Sequence, residues 1–489
     1  MDDPQLVGID LGTAGARTTA YDASGEVVLS GRSEIDRHTI EEWERALRSA
    51  ALYLPSKRTI CSVDSTSGTV VAVDEAGEPV FDPCMYYETA PAQAERLRSL
   101  GATHDLAERG LSLSATSPLP KILDLRERYP DRFETVEWLL SPTTWLLNRL
   151  KHAEGERWTD VRTDWTNALK FGADITQTPP EWFAPLFDRV DLPRHLLPAI
   201  EPPGTYVGTA ESEFAEDIGL GGAELYQGMT DGNASALAAG GLEPGDYNIT
   251  CGSTSVVKYV SESIEPHEAL YFHRHPIEGY FAGAAAQTGT VLRWFCRTVF
   301  DISETRGLEL AQRVAPGDEY EMILQADRSP FFDPTMGNSF FGIWPDSDLS
   351  TEEVRGRFLR GIATGIAMAE YTYLPLLESH FDTEIERVHL VSGGRAGGDD
   401  PVSWWNELRA SIWNRETVQM EPRTTIGSLI PATLSAGLFD DVGEASSALL
   451  RSHGTLDSDP TLRDRYADAR QSFSERWRAV NDYYESWYW

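Results

Sequence analysis

Two stretches far apart in the chain share one layout, and that layout limits the fold more than any other feature. Leu6-Val-Gly-Ile-Asp-Leu-Gly-Thr-Ala-Gly-Ala-Arg17 opens with a strand through Leu6, Val7 and Ile9. It turns between Gly12 and Gly15 and returns as a strand from Thr18 to Asp22. Gly245-Asp-Tyr-Asn-Ile-Thr-Cys-Gly-Ser-Thr-Ser-Val-Val-Lys-Tyr-Val260 repeats the plan, with strands over 247–250 and 256–260 and a turn at Gly252-Ser253-Thr254. In both turns a hydroxyl residue follows a glycine, a pattern that offers N–H and O–H donors to phosphate oxygens. A Walker loop or a dinucleotide fingerprint would lead into a helix, whereas here a strand follows. One hairpin at the head of each half reads as a weak internal duplication, able to grip a triphosphate from two walls of a cleft. Gly12, Thr13, Gly252, Ser253 and Thr254 are the candidate phosphate contacts. Asp10, at the end of the first strand, is the candidate metal residue, holding Mg2+ directly or through water. The bland alternative is a pair of plain hairpins with a turn Asp.

A chain of 489 residues is too long for one core, so two large domains are expected, 1–244 and 245–489. The formal net charge of −35 is spread along the chain, which argues against a nucleic-acid partner. Such a surface fits a halophilic protein whose self-repulsion is screened at high salt; an ordinary acidic enzyme is the alternative. Met1-Asp2-Asp3 runs straight into a strand, so no leader is expected, and no apolar run has the length of a membrane span. Cys61, Cys84, Cys251 and Cys296 form no Cys-x-x-Cys pair, so neither a zinc site nor a disulfide framework is indicated. A cytoplasmic protein is expected.

Gln227-Gly-Met-Thr-Asp-Gly-Asn-Ala-Ser-Ala-Leu-Ala-Ala-Gly240 puts one carboxylate, Asp231, at a loop-to-helix corner beside Gly228 and Gly232. Asp231 reads as a general base; its structural alternative is a simple helix cap, the commoner use of Asp. Asp64-Ser-Thr-Ser-Gly-Thr69 follows a strand with small hydroxyl residues suited to a polyol, or to ordinary turn chemistry. Thr163-Asp-Trp-Thr-Asn-Ala168 could add substrate contacts through Asp164, or cap a helix with Thr163 or Asp164. Val388-His-Leu-Val-Ser-Gly-Gly394 is a strand ending in two glycines that would let an adenosine lie against the backbone, followed by a helix through Trp404, Trp405 and Leu408. Phe473, Trp477, Val480, Tyr484 and Trp487 recur at helical spacing, which docks a helix on its own core; a contact in a homodimer is the alternative.

In this order the motifs resemble the FGGY family of carbohydrate kinases, within the actin-like ATPase superfamily. The carriers are Gly8-Ile-Asp-Leu-Gly-Thr13, Pro120-Lys121, Gly228-Met-Thr-Asp-Gly232, Gly252-Ser-Thr254, and Ser392-Gly-Gly394 with Trp405. Within the family, Asp64-Ser-Thr-Ser-Gly-Thr69, Ala115-Thr-Ser-Pro-Leu-Pro-Lys121, Thr163-Asp-Trp-Thr-Asn-Ala-Leu-Lys170 and Gly252-Ser-Thr-Ser-Val-Val-Lys258 look most like the xylulokinase-like D-ribulokinases. The chain departs from the family's pattern at Glu88, where an Asp is common, at Ala90, where an Arg is common, and at Arg395, where a third Gly is usual.

The resemblance implies an α/β fold of two RNase H-like domains flanking a catalytic cleft. The N-terminal one would bind the sugar, the C-terminal one the nucleotide. It implies MgATP on the two hairpins, adenosine against Gly393, Gly394 and Arg395 with Trp405, and a small-molecule sugar near Ser67, Gly68, Asp164 and Asp231. Asp231 would accept the proton of the terminal hydroxyl of a ketopentose, D-ribulose above all. Xylulose, gluconate or a deoxysugar are rival substrates. An actin-like switch or chaperone that hydrolyses ATP without sugar, and a non-catalytic sugar sensor, are the rivals of other kinds.

Overall fold

The computed structural model describes residues 4–55, 57–101, 106, 109, 113–345 and 347–487. They form two units. The first holds the chain up to Ala238 with Phe272–Tyr280 and Arg423–Leu450; the second holds Ala239–Tyr271, Phe281–Pro422 and the chain from Arg451.

The first unit is built on β1 (Gln5–Leu11), β2 (Gly15–Tyr21), β3 (Val27–Glu34), β4 (Thr59–Ser65), β5 (Tyr206–Thr209) and β6 (Glu224–Thr230). They lie side by side in the order β5–β6–β4–β1–β2–β3. The hairpin β1–β2 is antiparallel, while β1, β4 and β6 run parallel. β4 is buried from Ile60 to Ser65 and β1 at every residue but Asp10, as expected of parallel strands covered on both faces. Helix α1 (Ile40–Ser49) starts at Thr39, whose side chain accepts the Glu42 N–H. Helix α2 (Pro142–Lys151) starts at Ser141 with Pro142 at its first position. They contribute Trp43 and Trp145 to one core, with ring centroids 5.8 Å apart. Burying a large apolar side chain contributes on the order of 2 kcal/mol, so this pair anchors both helices. Two short helices complete the frame, α3 (Trp165–Phe171) and α4 (Asp231–Ala238).

The second unit repeats the scheme with β7 (Tyr247–Cys251), β8 (Thr254–Ser261), β9 (Tyr280–Gln287), β10 (Arg387–Val391), β11 (Glu416–Met420) and β12 (Ser452–Thr455), in the order β9–β8–β7–β10–β11–β12. Again a leading hairpin, β7–β8, is followed by parallel strands β10 and β11. The duplication is therefore in the topology. It is incomplete at one edge, because β5 precedes its neighbour β6 in the chain whereas β12 follows β11. Around this sheet lie α5 (Gly289–Trp294), α6 (Glu352–Tyr371), α7 (Pro401–Trp413) and α8 (Ala467–Trp487). The aromatic stripe of α8 docks inward through Phe473 and Trp477, both buried; the Trp487 side chain lies outside the described residues. No helix among the described residues is long and apolar enough to cross a membrane.

Candidate functional site

Parallel strands of one sheet end on the same side, so β1, β4 and β6 bring carboxylates together in the first unit. Asp10 pairs in register with Asp64, and Asp64 with Met229, two residues before Asp231. Asp10 is half-buried, and burial raises its carboxyl above the ordinary range, opposed by the Arg17 guanidinium. Asp64 is 1% exposed. Its carboxyl is pushed well above the usual range, first by burial, then by the like charges of Asp10 and Asp231. The Ser428 hydroxyl donates to Asp64 Oδ2 at 3.3 Å.

Asp231 reaches this corner through a bulge. The pairing of β6 with β4 shifts between Tyr226 and Met229, across Gly228. A Cβ on Gly228 would stand 1.6 Å from the Val63 carbonyl oxygen, so only glycine lets the strands close here. Beyond it the Thr230 N–H donates to Thr166 Oγ1 (3.0 Å), and Asn233 Nδ2 donates to Thr230 Oγ1 (3.0 Å). Asp231 itself opens α4, with the Gly232 N–H 2.6 Å from its Oδ1.

Asp164, expected at the sugar, is fully buried and committed to the start of α3. It accepts the N–H groups of Thr166 and Asn167, the Thr166 hydroxyl (2.5 Å) and the Asn167 side-chain amide (2.7 Å). A carboxylate with four such donors has little capacity left for a ligand, so its part is to orient Thr166. Ser67 and Gly68 sit in the turn after β4. Ser67 is half-buried and its hydroxyl makes no hydrogen bond among the described residues. Gly68 takes a φ of +86°, and its carbonyl accepts Lys121 Nζ at 2.8 Å, as does the Met85 carbonyl. Glu88 closes its own turn by accepting the Met85 N–H.

Gly12 closes the β1–β2 turn, its N–H donating to the Gly15 carbonyl at 3.0 Å. Asp10 fits a magnesium ion, which is commonly held by one or two carboxylates together with phosphate oxygens. No cluster of three metal-binding side chains exists among the described residues.

In the second unit Gly252 and Ser253 are exposed at the tip of the β7–β8 hairpin. The tip is clamped to the start of α5. The Ser253 carbonyl accepts the N–H groups of Thr288 and Thr290 and the Thr290 hydroxyl, and a Cβ on Gly289 would stand 2.1 Å from the Gly252 carbonyl oxygen. Below it Ser255 Oγ donates to Glu370 Oε1 (2.7 Å), and Glu370 pairs with Arg409 at 2.9 Å.

Trp405 departs from the expectation of a nucleotide contact. It is 7% exposed, its indole N–H donates to the Ala363 carbonyl at 3.1 Å, and the Arg409 guanidinium covers its ring at 3.8 Å. Both its polar tip and one ring face are taken up inside the unit, so it anchors α7. Gly393 and Gly394 form an open turn after β10. Gln419 Nε2 donates to both carbonyls, Gly394 has φ +76°, and the Arg395 N–H donates to Ser403 Oγ. The Arg395 side chain is exposed.

Sequence reasoning passed over the burial of Asp64, the clamp at Gly289 and the Lys170–His273 contact in the first unit, 3.0 Å long. Asp64 carried one signal, its position opposite Asp10 at the end of a strand.

Each unit thus has a ribonuclease H-like α/β fold. Residues 5–238 match the N-terminal domain of the FGGY family of carbohydrate kinases. A xylulose kinase of Lactococcus lactis is 23% identical over 91% of this chain and 90% of its own length. An autoinducer-2 kinase of Escherichia coli is 22% identical over 97% and 93%. Among solved structures, a ligand-bound xylulose kinase from Lactobacillus acidophilus superposes with a TM-score of 0.83 at 17% identity, over 99% of this chain and all of that one. A glycerol kinase of Plasmodium falciparum with ADP gives 0.79 at 15% identity, over 97% and 98%. Residues 5–238 thus carry the N-terminal domain of the FGGY carbohydrate kinases, and the likeness of the whole chain to sugar kinases supports an ATP-dependent sugar kinase.

Proposed function

We propose that the enzyme transfers the γ-phosphate of MgATP to the terminal hydroxyl of a ketopentose, with D-ribulose as the preferred acceptor. The observation that carries this reading is the placement of Asp231 at the end of β6, held beside α3 by the Thr230–Thr166 bond. In the same unit the small hydroxyl-rich turn 65–69 supplies short-range donors and acceptors, among them the Ser67 hydroxyl. Asp231 accepts the hydroxyl proton as that oxygen forms its bond to the γ-phosphorus and the bond to the ADP oxygen breaks in line. Positioning supplies most of the acceleration, since there is little covalent chemistry for the protein to do. Thr13, Ser253 and Thr254 offer hydroxyl donors to the phosphates, Gly12 and Gly252 close their turns with their own N–H groups, and Gly393, Gly394 and Arg395 flank the adenosine. Magnesium, held from Asp10, would neutralise charge on the phosphate oxygens.

D-ribulose is favoured by the stretches 64–69, 115–121 and 163–170. D-xylulose is the second reading, supported by the xylulose kinases among the relatives. Coupled ADP release at molar KCl across D-ribulose, D-xylulose, L-ribulose, gluconate, glycerol and no sugar tests both. A strong D-ribulose signal over the blank is the expected result. Preference for another sugar overturns the substrate, and sugar-independent hydrolysis without a phosphorylated product overturns the reaction.

A further inference from the structure

Helix α3 and strand β6 are tied one residue before Asp231, through the Thr230 N–H and the Thr166 hydroxyl, both in buried residues. Lys170 lies four residues beyond Thr166 on α3, one turn along the same face. Its Nζ stands 3.0 Å from His273 Nε2, 103 residues away in the chain. His273 belongs to Phe272–Tyr280, the short segment that joins the first unit from the middle of the second unit's sequence. An ammonium has donors and no acceptor, so it donates to Nε2 and the imidazole is neutral, with its proton on Nδ1.

We propose that Lys170, fixed by His273, is a positioning residue for Asp231, its ammonium keeping that carboxylate ionised and oriented for the acceptor hydroxyl. The inference rests on Asp231 as the proton acceptor. Burial pulls the Lys170 ammonium down to about 8, and Asp231 is the charge that opposes the fall. Asp64 opposes this support from β4 with a like charge. On the elements packed against α3, Arg162 pairs with Asp160, Glu224 with Arg58 and Glu127 with Arg96, and Arg126 donates to the Val190 and Asp191 carbonyls. Asp164 caps the helix, and Asp174 pairs with Arg109 at 3.2 Å. Arg274 lies over the Trp165 ring and donates to the Tyr280 hydroxyl. On the helix Pro118–Arg128, Lys121 donates to the Gly68 and Met85 carbonyls and Asp124 pairs with Arg128. In a chain with five lysines and a net charge of −35, a lysine drawn under the surface needs such a partner.

The direction of the effect follows from the charges. A cation beside Asp231 lowers its pKa, so removing it raises the acidic limb of the pH–rate profile. Deprotonation of Lys170 removes the same support, so the wild type loses rate above about pH 8.

The test measures kcat and kcat/KM from pH 5 to 10 with MgATP and D-ribulose, or D-xylulose where that is the better acceptor, on variants whose thermal melts show them folded. Lys170→Met is expected to lose about tenfold in kcat at neutral pH, to move the acidic limb up by about one pH unit, and to lose the basic limb. Lys170→Arg restores the acidic limb and carries the basic limb out of range, because guanidinium stays charged. His273→Leu shifts the acidic limb in the same direction by less. A Lys170→Met profile of unchanged shape, scaled down at every pH, marks a structural role and overturns the proposal. Asp231→Asn separates the two readings. An inactive Asp231→Asn beside an unshifted Lys170→Met overturns Lys170 alone, while turnover in Asp231→Asn overturns the base and the inference with it.

Discussion

Asp10 and Asp64 are register partners on adjacent parallel strands, and of the two Asp64 is sealed from solvent. Asp10 keeps enough exposure to meet a metal and phosphates. Asp64 is costly to ionise, and burial favours its protonated form.

That asymmetry has a consequence for stability. A carboxyl whose pKa is raised by folding favours the native state at low pH; the contribution is fully present below its unfolded value of about 4 and is lost as pH rises through the folded one. Asp64→Asn abolishes this dependence. Wild type should therefore lose stability relative to Asp64→Asn as pH rises above the ordinary carboxylate range of about 4. Urea melts across that range check it, and parallel curves would count against a raised Asp64.

Gly228→Ala places a methyl group where the Val63 carbonyl oxygen already lies. The strands must separate or the bulge must move, at a cost on the order of 3 kcal/mol. Gly337→Ala, with nothing near its added Cβ, is the control and should cost less than about 0.5 kcal/mol. Equal melting temperatures for the two variants would contradict the close approach.

Glu370→Gln leaves Arg409 buried with a neutral partner and weakens the bond to Ser255 beneath the β7–β8 hairpin. Breaking a buried ion pair costs about 3–5 kcal/mol. The expected outcome is a lower melting temperature together with a raised KM for ATP and little change in KM for the sugar. A raised sugar KM with unaltered ATP KM would show that the hairpin does not serve the nucleotide.

Salt should stabilise the native state. Carboxylates at a net charge of −35 repel one another over a distance that falls from about 10 Å at 0.1 M salt to about 3 Å at 1 M. The melting temperature is expected to rise steeply with KCl up to about 1 M and then flatten. A flat response from 0.1 to 2 M would remove the halophilic reading.

Much of the fold could be read from local pattern. The turn at Gly12 to Gly15 and the tip at Gly252-Ser253 were visible because a hairpin needs only its own residues. Asp164 was legible as a helix start for the same reason, and the structure uses it that way. Less legible was what surrounds each side chain. The tryptophan at 405 was expected to meet a nucleotide, yet it is enclosed by Ala363 and Arg409, contacts no local pattern announces. Equally hidden was the approach of Gly289 to the Gly252 carbonyl, 37 residues earlier in the chain.

By itself, then, the sequence determined the strand–turn–strand openings, the helix starts and the order of motifs by which the chain resembles the FGGY kinases. These depend on backbone preferences and hydrogen bonds spanning a few residues. Only the tertiary structure decided that Asp64 is sealed between two other carboxylates and that Glu370 ties a hairpin to Arg409. It alone brought His273 to Lys170. Desolvation and charge pairing are set by whichever groups the folded chain draws close, and here those groups lie tens to more than a hundred residues apart.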